Sequence, residues 1–182
     1  WNPTAVIGSP NDTASTTMAW CNTSAFTPSI SGEGKSQFEY SISNNASAGN
    51  YGTATITATY KHNKVGTHNA TLTIKTDLGT HNIALTGETT KRAQTITWDE
   101  QWNTPTIPIG KTVENAAKTI SPLPIKYKSS NDTVIQIIND STAFKAIAVG
   151  TATITAIQAG DDEWYEVSSE KEFTVTEKKI QT

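Results

Sequence analysis

The heptapeptide Gly-Thr-Ala-Thr-Ile-Thr-Ala occurs twice in the chain, at 52–58 and again at 150–156. Its threonines alternate with Ala, Ile and Ala, and a period of two residues marks a strand that buries one face and wets the other. A helix has no use for such a pattern, because it would scatter the apolar residues around its circumference. The same alternation appears in Phe38, Tyr40 and Ile42, in Ala70, Leu72 and Ile74, in Ile125 and Tyr127, and in Phe144, Ala146 and Ala148. Turn-forming stretches rich in Gly, Ser, Asn and Asp, at 31–34, 77–79 and 129–132, separate these segments. Short strands at roughly 8–12-residue spacing with turns between them predict an all-β sandwich.

How many sandwiches is set by a seam. Lys91-Arg92-Ala93-Gln94-Thr95 runs on into Ile96-Thr97-Trp98, and it returns at the end as Lys178-Lys179-Ile180-Gln181-Thr182. Gln181 lies 87 residues after Gln94, a normal length for one small sandwich, and a fixed period of this kind signals a modular array. The expected organisation is two consecutive β-sandwiches, 1–90 and 91–177, with 178–182 the start of a further repeat or a tail. The linkers between paired strands are short, which predicts a semi-rigid rod rather than freely tumbling domains. The two heptapeptides do not sit in register, since the second lies closer to its domain end than the first. They read as one physical solution, an Ala/Ile inner face beside a Thr outer face, used in two different sandwiches. One predicted core joins Ile56, Leu72, Ile74, Ile83 and Leu85. The other joins Trp98, Ile125, Tyr127, Phe144, Ile154 and Phe173.

Charge narrows the range of partners. The formal net charge is −3, with 4 basic and 5 acidic side chains in 1–90 and 10 basic and 12 acidic in 91–182. Neither half has the basic stripe that a phosphate backbone needs, so nucleic acid is not an expected partner. No apolar run approaches the ~20 residues of a membrane span. Cys21 is the single cysteine, so neither an intrachain disulfide nor a cysteine-based metal site can form. The opening at Trp1 without a signal sequence implies a processed chain or an excised fragment, and the returning seam favours the fragment.

Candidates for chemistry are few. His62, His68 and His81 fall near the ends of neighbouring predicted strands; with no carboxylate or cysteine at ligand spacing, they are expected to be surface residues rather than a metal cluster. Asp161-Asp162-Glu163 lacks the regular ligand spacing of a calcium loop and reads as a solvated acidic turn. No nucleophile elbow appears, and the carboxylates sit in turns where nothing would split a pair of pKa values. Neither a catalyst nor a cofactor is expected. Trp20 and Trp98 fall on inward strand faces. Trp102, Trp164 and Tyr165 fall in loops, where aromatic rings can stack a sugar or dock a partner, and Trp1 is a further candidate. For Trp164 and Tyr165 the competing expectation is that Tyr165 is buried at the sandwich end with Trp164 capping it.

Two resemblances lie in these residues. Residues 66–74, with Ile83-Ala84-Leu85-Thr86-Gly87 after the turn, resemble the end of Hydin-like (ASPM–SPD-2–Hydin) immunoglobulin-like modules. In the second half the matching elements are Gln94-Thr95-Ile96-Thr97-Trp98, residues 123–131, the second heptapeptide, Gln158-Ala159-Gly160 and Tyr165, in order. They resemble the bacterial immunoglobulin-like (Big-type) repeats of Bacteroidetes surface and secreted proteins. Pro122 and Trp164 depart from that family's pattern. The resemblance implies a non-catalytic spacer or adhesin-type module outside the cell, with neighbouring immunoglobulin-like domains and an unknown protein or glycan as partners. The alternative it leaves open is a carbohydrate-binding accessory module using Trp164, Tyr165 and Trp102. Asp12-Thr13-Ala14, Asp132-Thr133-Val134 and Asp140-Ser141-Thr142, in predicted loops or turns, resemble the Asp-Ser/Thr pattern at which Bacteroidetes attach O-glycans to exported proteins; the competing reading is that Asp-Thr pairs are simply common in a Thr-rich chain.

Overall fold

In the computed structural model of the chain the described residues are 3–21, 27–48, 51–76 and 79–178. They fold as two units, Trp1–Lys91 and Arg92–Thr182. The first unit consists of β1 (Thr4–Val6), β2 (Asp12–Cys21), β3 (Thr27–Ser31), β4 (Phe38–Ala48), β5 (Tyr51–Tyr60), β6 (Gly66–Thr76) and β7 (Gly79–Thr90). One sheet has the order β1-β7-β6-β3 and the other β2-β5-β4. Every pairing is antiparallel except that of β1, which runs parallel to β7. A first strand laid along the last, with the seventh, sixth and third strands facing the second, fifth and fourth, is the strand order of an immunoglobulin-like sandwich.

Alternation decides which side chains meet between the sheets. Ala54, Ile56 and Ala58 from β5 point inward with Leu72 and Ile74 from β6 and Leu85 from β7, and all are buried. Ile83 and Met18 pack against this core while staying partly exposed. The outward hydroxyls pair across strands, as in Ser15 with Thr57 at 2.7 Å. Pro28 lies on β3, an edge strand, where the missing N–H costs the ladder nothing. β2 begins at Asp12, which already pairs with Tyr60. β4 continues through the small residues after Asn44 by a register shift between Asn44 and Ala46, a bulge.

The second unit consists of β8 (Thr97–Trp98), β9 (Thr106–Pro108), β10 (Thr112–Glu114), β11 (Ala117–Lys118), β12 (Lys126–Ser129), β13 (Ile135–Ile138), β14 (Ala143–Ala146), β15 (Gly150–Gln158) and β16 (Val167–Thr176). Its sheets are β12-β15-β16-β9, β10-β14-β13 and a small pair, β11-β8. β9 again runs parallel to the last strand. The order is therefore that of the first unit, with the first and second strands each broken in two. Asn115, at φ 51, breaks the second into β10 and β11. The core is aromatic: Phe144 lies 5.4 Å from Tyr127 and 5.2 Å from Phe173, centroid to centroid. Burial raises the Tyr127 phenol above its ordinary pKa, and its oxygen accepts from Ala117 N at 3.1 Å, joining the two sheets. Trp98 and Ile125 pack on this core but remain partly exposed.

The identical heptapeptides occupy different places in a shared topology. The first lies in β5, the central strand of a three-stranded sheet; the second lies in β15, inside the four-stranded sheet. Ala152, Ile154 and Ala156 are buried as Ala54, Ile56 and Ala58 are, so the burial pattern is local and the topology is not. Ile154 is fully enclosed, and Ile154→Ala should cost about 2–5 kcal/mol by lost transfer energy and residual cavity. Urea unfolding of the second unit measures it; a loss below about half a kcal/mol would contradict the inward face.

Candidate functional site

Two clusters gather the residues able to bind or react, one in each unit. In the second unit, β15 and β16 are joined by a loop whose fold is set by Asp161. Its Oδ1 accepts from the N–H groups of Glu163 and Trp164, each at 2.8 Å, an Asx turn of the kind Asp favours. Gly160 adopts φ 70, and a Cβ there would come 2.5 Å from the Trp164 carbonyl, so no larger residue fits. The acidic run thus begins with a side chain used to build the loop. Among the described residues no group of three His, Cys, Asp or Glu comes together in a metal-binding arrangement.

The seam docks on this loop. Arg92 N donates to Glu163 O at 2.8 Å and Tyr165 N donates to Arg92 O at 3.0 Å, a single parallel bridge. Gln94 Nε2 donates to Tyr165 O at 2.7 Å and also to the buried Gln158 Oε1. Gln94 Oε1 accepts from the Thr119 hydroxyl at 2.7 Å. The Arg92 guanidinium sits over the Trp164 ring, 5.4 Å from its centroid, a cation–π contact. The spacing of Gln94, Gln158 and Tyr165 gave a family resemblance; the geometry shows why they occur together.

These contacts distribute the three candidate rings differently from the sequence expectation. Trp164 is 9% exposed, covered by Arg92, whereas Tyr165 is 50% exposed. The expected burial of Tyr165 under a Trp164 cap is therefore reversed: the bridge to Arg92 turns Trp164 inward and its neighbour outward. Trp102 is not in an open loop. It lies in the 3-10 turn Glu100–Asn103, edge-on to Phe173 at 5.4 Å, and is buried. Its Nε1 has no hydrogen-bond partner, so ring packing, rather than polar contact, holds it there. The Asp99 carboxylate caps this turn; the Gln101 N–H first, then Lys118, hold it below the usual carboxylate range. Of the three rings, Tyr165 alone presents a surface. Trp1 and the Trp20 side chain lie outside the described residues.

The first unit corrects the expectation for the histidines. His81 is exposed, but His62 and His68 are buried. They lie at the two ends of a buried polar chain around Tyr60. Tyr60 Oη is 2.7 Å from His68 Nδ1 and 3.0 Å from Thr89 Oγ1. Thr89 Oγ1 is 3.3 Å from His62 Nδ1, and His62 Nε2 is 2.9 Å from Asp12 Oδ2. One set of donors runs through the chain: His68 Nδ1–H donates to Tyr60, Tyr60 to Thr89, Thr89 to His62 Nδ1, and His62 Nε2–H to Asp12. A buried polar network of this kind is stable only when complete. Parity gives the missed signal, since His68 shares its face with Ala70, Leu72 and Ile74, and His62 with Tyr60. Gly87 belongs to the same arrangement: a Cβ would come 2.5 Å from the Tyr60 ring.

Asp12, His62 and Thr89 stand in the order of a hydrolytic carboxylate, base and hydroxyl. Thr89, however, is 1% exposed and its oxygen is shared with Tyr60, so the hydroxyl has no route to a substrate carbonyl. The clefts lie elsewhere. One of about 300 Å³ is lined by Ser121, Leu123 and Tyr127 among others, and one of about 460 Å³ by Lys128, Asp132 and Gln136 among others. A third, of about 330 Å³, is apolar and opens between β2 and β7.

No protein-family profile and no curated protein sequence matches the chain. Among solved structures, it is similar to the titin domains z1z2 in complex with telethonin, at 14% identity over 98% of this chain and 94% of that one, TM-score 0.37. It is also similar to a C-terminal fragment of intimin in complex with the intimin-binding domain of its translocated receptor, at 13% identity, 82% and 56% coverage, TM-score 0.31. An endo-fucoidan hydrolase of glycoside hydrolase family 107 matches at 12% identity and TM-score 0.30; the chain spans 28% of that enzyme's length. The immunoglobulin-like assignment stands on strand order in each unit. Among the described residues no helix is long and apolar enough to cross a membrane.

Burial first, then the Lys64 cation, holds the His68 imidazole below its ordinary pKa. As pH falls, the unfolded chain therefore takes up this proton before the folded one does. The stability tied to His68 is complete above the ordinary histidine value of about 6.5 and is lost as pH falls below it toward the folded value. Urea unfolding of the first unit on acidification should show this decline, and His68→Gln should flatten it. The same slope in both proteins would contradict the buried placement.

Proposed function

We propose that the chain is a pair of immunoglobulin-like modules serving as spacer or interaction repeats in a larger bacterial cell-surface or secreted protein, without a reaction of their own. The finer kinship, Hydin-like for the first module and Big-type for the second, belongs to the same proposal. One observation supports it above the rest: the groups that could do chemistry are committed to the fold. Thr89 and His62 hold Tyr60, Asp161 folds its loop, and Gln94 and Arg92 weld the seam to that loop. Even the seam is structural, since β7 ends at Thr90 and Arg92 already bridges to Trp164. Such modules need only persist and keep their neighbours apart, which a set of closed polar networks accomplishes without a pocket.

Tyr165 supports a second reading, a glycan or protein contact through its exposed ring. The deciding experiment is replacement within the parent protein. Exchanging residues 1–182 for an unrelated pair of immunoglobulin-like domains of similar length should preserve the parent's function if the modules are spacers. Loss of function on exchange, reproduced by Tyr165→Ala in the native modules, would overturn the spacer and favour the binding surface. A glycan array probed with the native chain and with Tyr165→Ala then tells a sugar from a protein partner.

A further inference from the structure

The break in the second strand of the second unit leaves a cleft beside it. In the first unit β2 runs unbroken from Asp12 to Cys21. In the second, Asn115 follows the end of β10, and β11 pairs with β8 rather than with β14. The loop after β11 folds on its own side chains: Ser121 N donates to Thr119 Oγ1 at 3.5 Å and Leu123 N to Ser121 Oγ at 3.2 Å. Between this loop, β11 and β12 lies the cleft of about 300 Å³. Asn115 and Lys118 line it as exposed residues, and Leu123 and Ile125 line it as half-buried apolar ones. Ser121 and Tyr127 also line it, at 7% and 2% exposure.

Hydrogen-bonding capacity in this cleft is left over. A hydroxyl carries one donor and two acceptor lone pairs. Tyr127 Oη accepts from Ala117 N at 3.1 Å, and Ser121 Oγ accepts from Leu123 N, so backbone N–H groups fix both oxygens. Among the described residues neither hydroxyl donates to a protein acceptor. Two buried O–H groups therefore line one cleft with their protons unspent, and a buried donor without an acceptor costs about 1–3 kcal/mol. The Asn115 side-chain amide has no partner among the described residues either. Lys118 Nζ pairs with Asp99 at 3.4 Å, its side chain 73% exposed. Among the described residues no carboxylate lines the cleft.

We propose that this cleft is a binding site for a sugar acid, a hydroxylated ring carrying one carboxylate. The unspent hydroxyl protons of Tyr127 and Ser121, with the Lys118 cation beside them, form a donor set that a carboxylate satisfies. Asn115 offers both a donor and an acceptor, which suits a ring hydroxyl. Leu123 and Ile125 supply an apolar wall for the C–H face of the ring. At about 300 Å³ the cleft stands at the lower end of the range for small-molecule sites, about 300–1,000 Å³, which favours a single ring. The site is separate from the exposed Tyr165 ring, and the spacer reading does not depend on it.

Amide NMR of the full chain, titrated with sodium D-glucuronate and with D-glucose, tests the proposal, since the two sugars differ only at the carboxylate. The amides of Ala117 and Leu123, which donate to the two hydroxyl oxygens, are the reporters. Glucuronate should shift both saturably, and glucose should bind about tenfold more weakly or worse. Ser121→Ala and Tyr127→Phe should each weaken glucuronate by about tenfold or more, and Lys118→Gln by about threefold. Amide spectra unchanged outside the cleft show that a variant has folded, and Ser121→Ala decides alone if Tyr127→Phe does not fold. No saturable shift in the native chain at glucuronate well above about 1 mM would overturn the proposal. So would equal affinity for glucose. Shifts that sodium sulfate reproduces, and that Lys118→Gln abolishes while Ser121→Ala leaves them intact, would overturn it too, because a lone surface lysine would then account for the binding.

Discussion

A sandwich of two sheets has two open sides, and how the side nearest the first strand is closed governs much of this molecule. In both units an early strand, β1 in the first and β9 in the second, lies parallel to the last, so it extends one sheet without covering the other. Among the described residues no strand of either main sheet pairs with the outer edge of the second strand, and the core residues behind it depend on what else is placed over that side. The second unit answers with β8, two indoles and Lys171, which faces the Trp98 ring and donates to the Trp102 carbonyl. It can do so because Phe173, which precedes Thr174 in the parallel pair with Thr106 as Gly87 precedes Glu88 in the parallel pair with Thr4, gives Trp102 an aromatic surface on which to rest. The first unit gives up that aromatic position to glycine, and Tyr60 fills the space instead.

That substitution links the core to the buried polar chain. With its ring lying against Gly87, Tyr60 carries a hydroxyl into the interior, where an unpaired group would cost about 1–3 kcal/mol. Thr89 and His68 satisfy it, and His62 and Asp12 carry the chain out to the surface. Burial raises the Tyr60 phenol above its ordinary pKa, with Glu88 adding to the effect and the Thr89 bond offsetting part of it, so it remains a neutral hydroxyl that can donate and accept. The second unit manages its own central tyrosine more simply: Tyr127 takes one backbone N–H. One fold thus carries two interiors, one polar and histidine-lined, the other aromatic.

How far the sequence foretold this depends on whether the deciding contact is local. Strand faces were legible wherever alternation ran unbroken, as in 52–58, 70–74 and 150–156, because the period of two is written into neighbouring residues. The non-register of the two heptapeptides was legible as well, from their distances to the domain ends. Burial of His62 and His68 was not, since it depends on Thr89, 27 residues from His62. Their parity with Tyr60 and Leu72 was the available signal, overridden by their polarity. Parity alone would have misled for His81, which shares a face with Ile83 and pairs with the buried Ile74 yet is itself exposed. Trp102 and Trp164 read as loop residues, which is where they are; a 3-10 turn in one case and a bridge to Arg92 in the other carry them inward.

The central claim is that one strand order serves both halves while the identical heptapeptide occupies different strands within it. Cross-strand nuclear Overhauser contacts between backbone Hα and amide protons test this directly. The account predicts that Ile56 lies between Thr16 and Ile42, and that Ile154 lies between Ser129 and Lys171. If Ile154 were found instead between the second and fourth strands of its half, beside β10 and β13, the halves would be simple copies in register. The shared topology with exchanged strands would then be wrong.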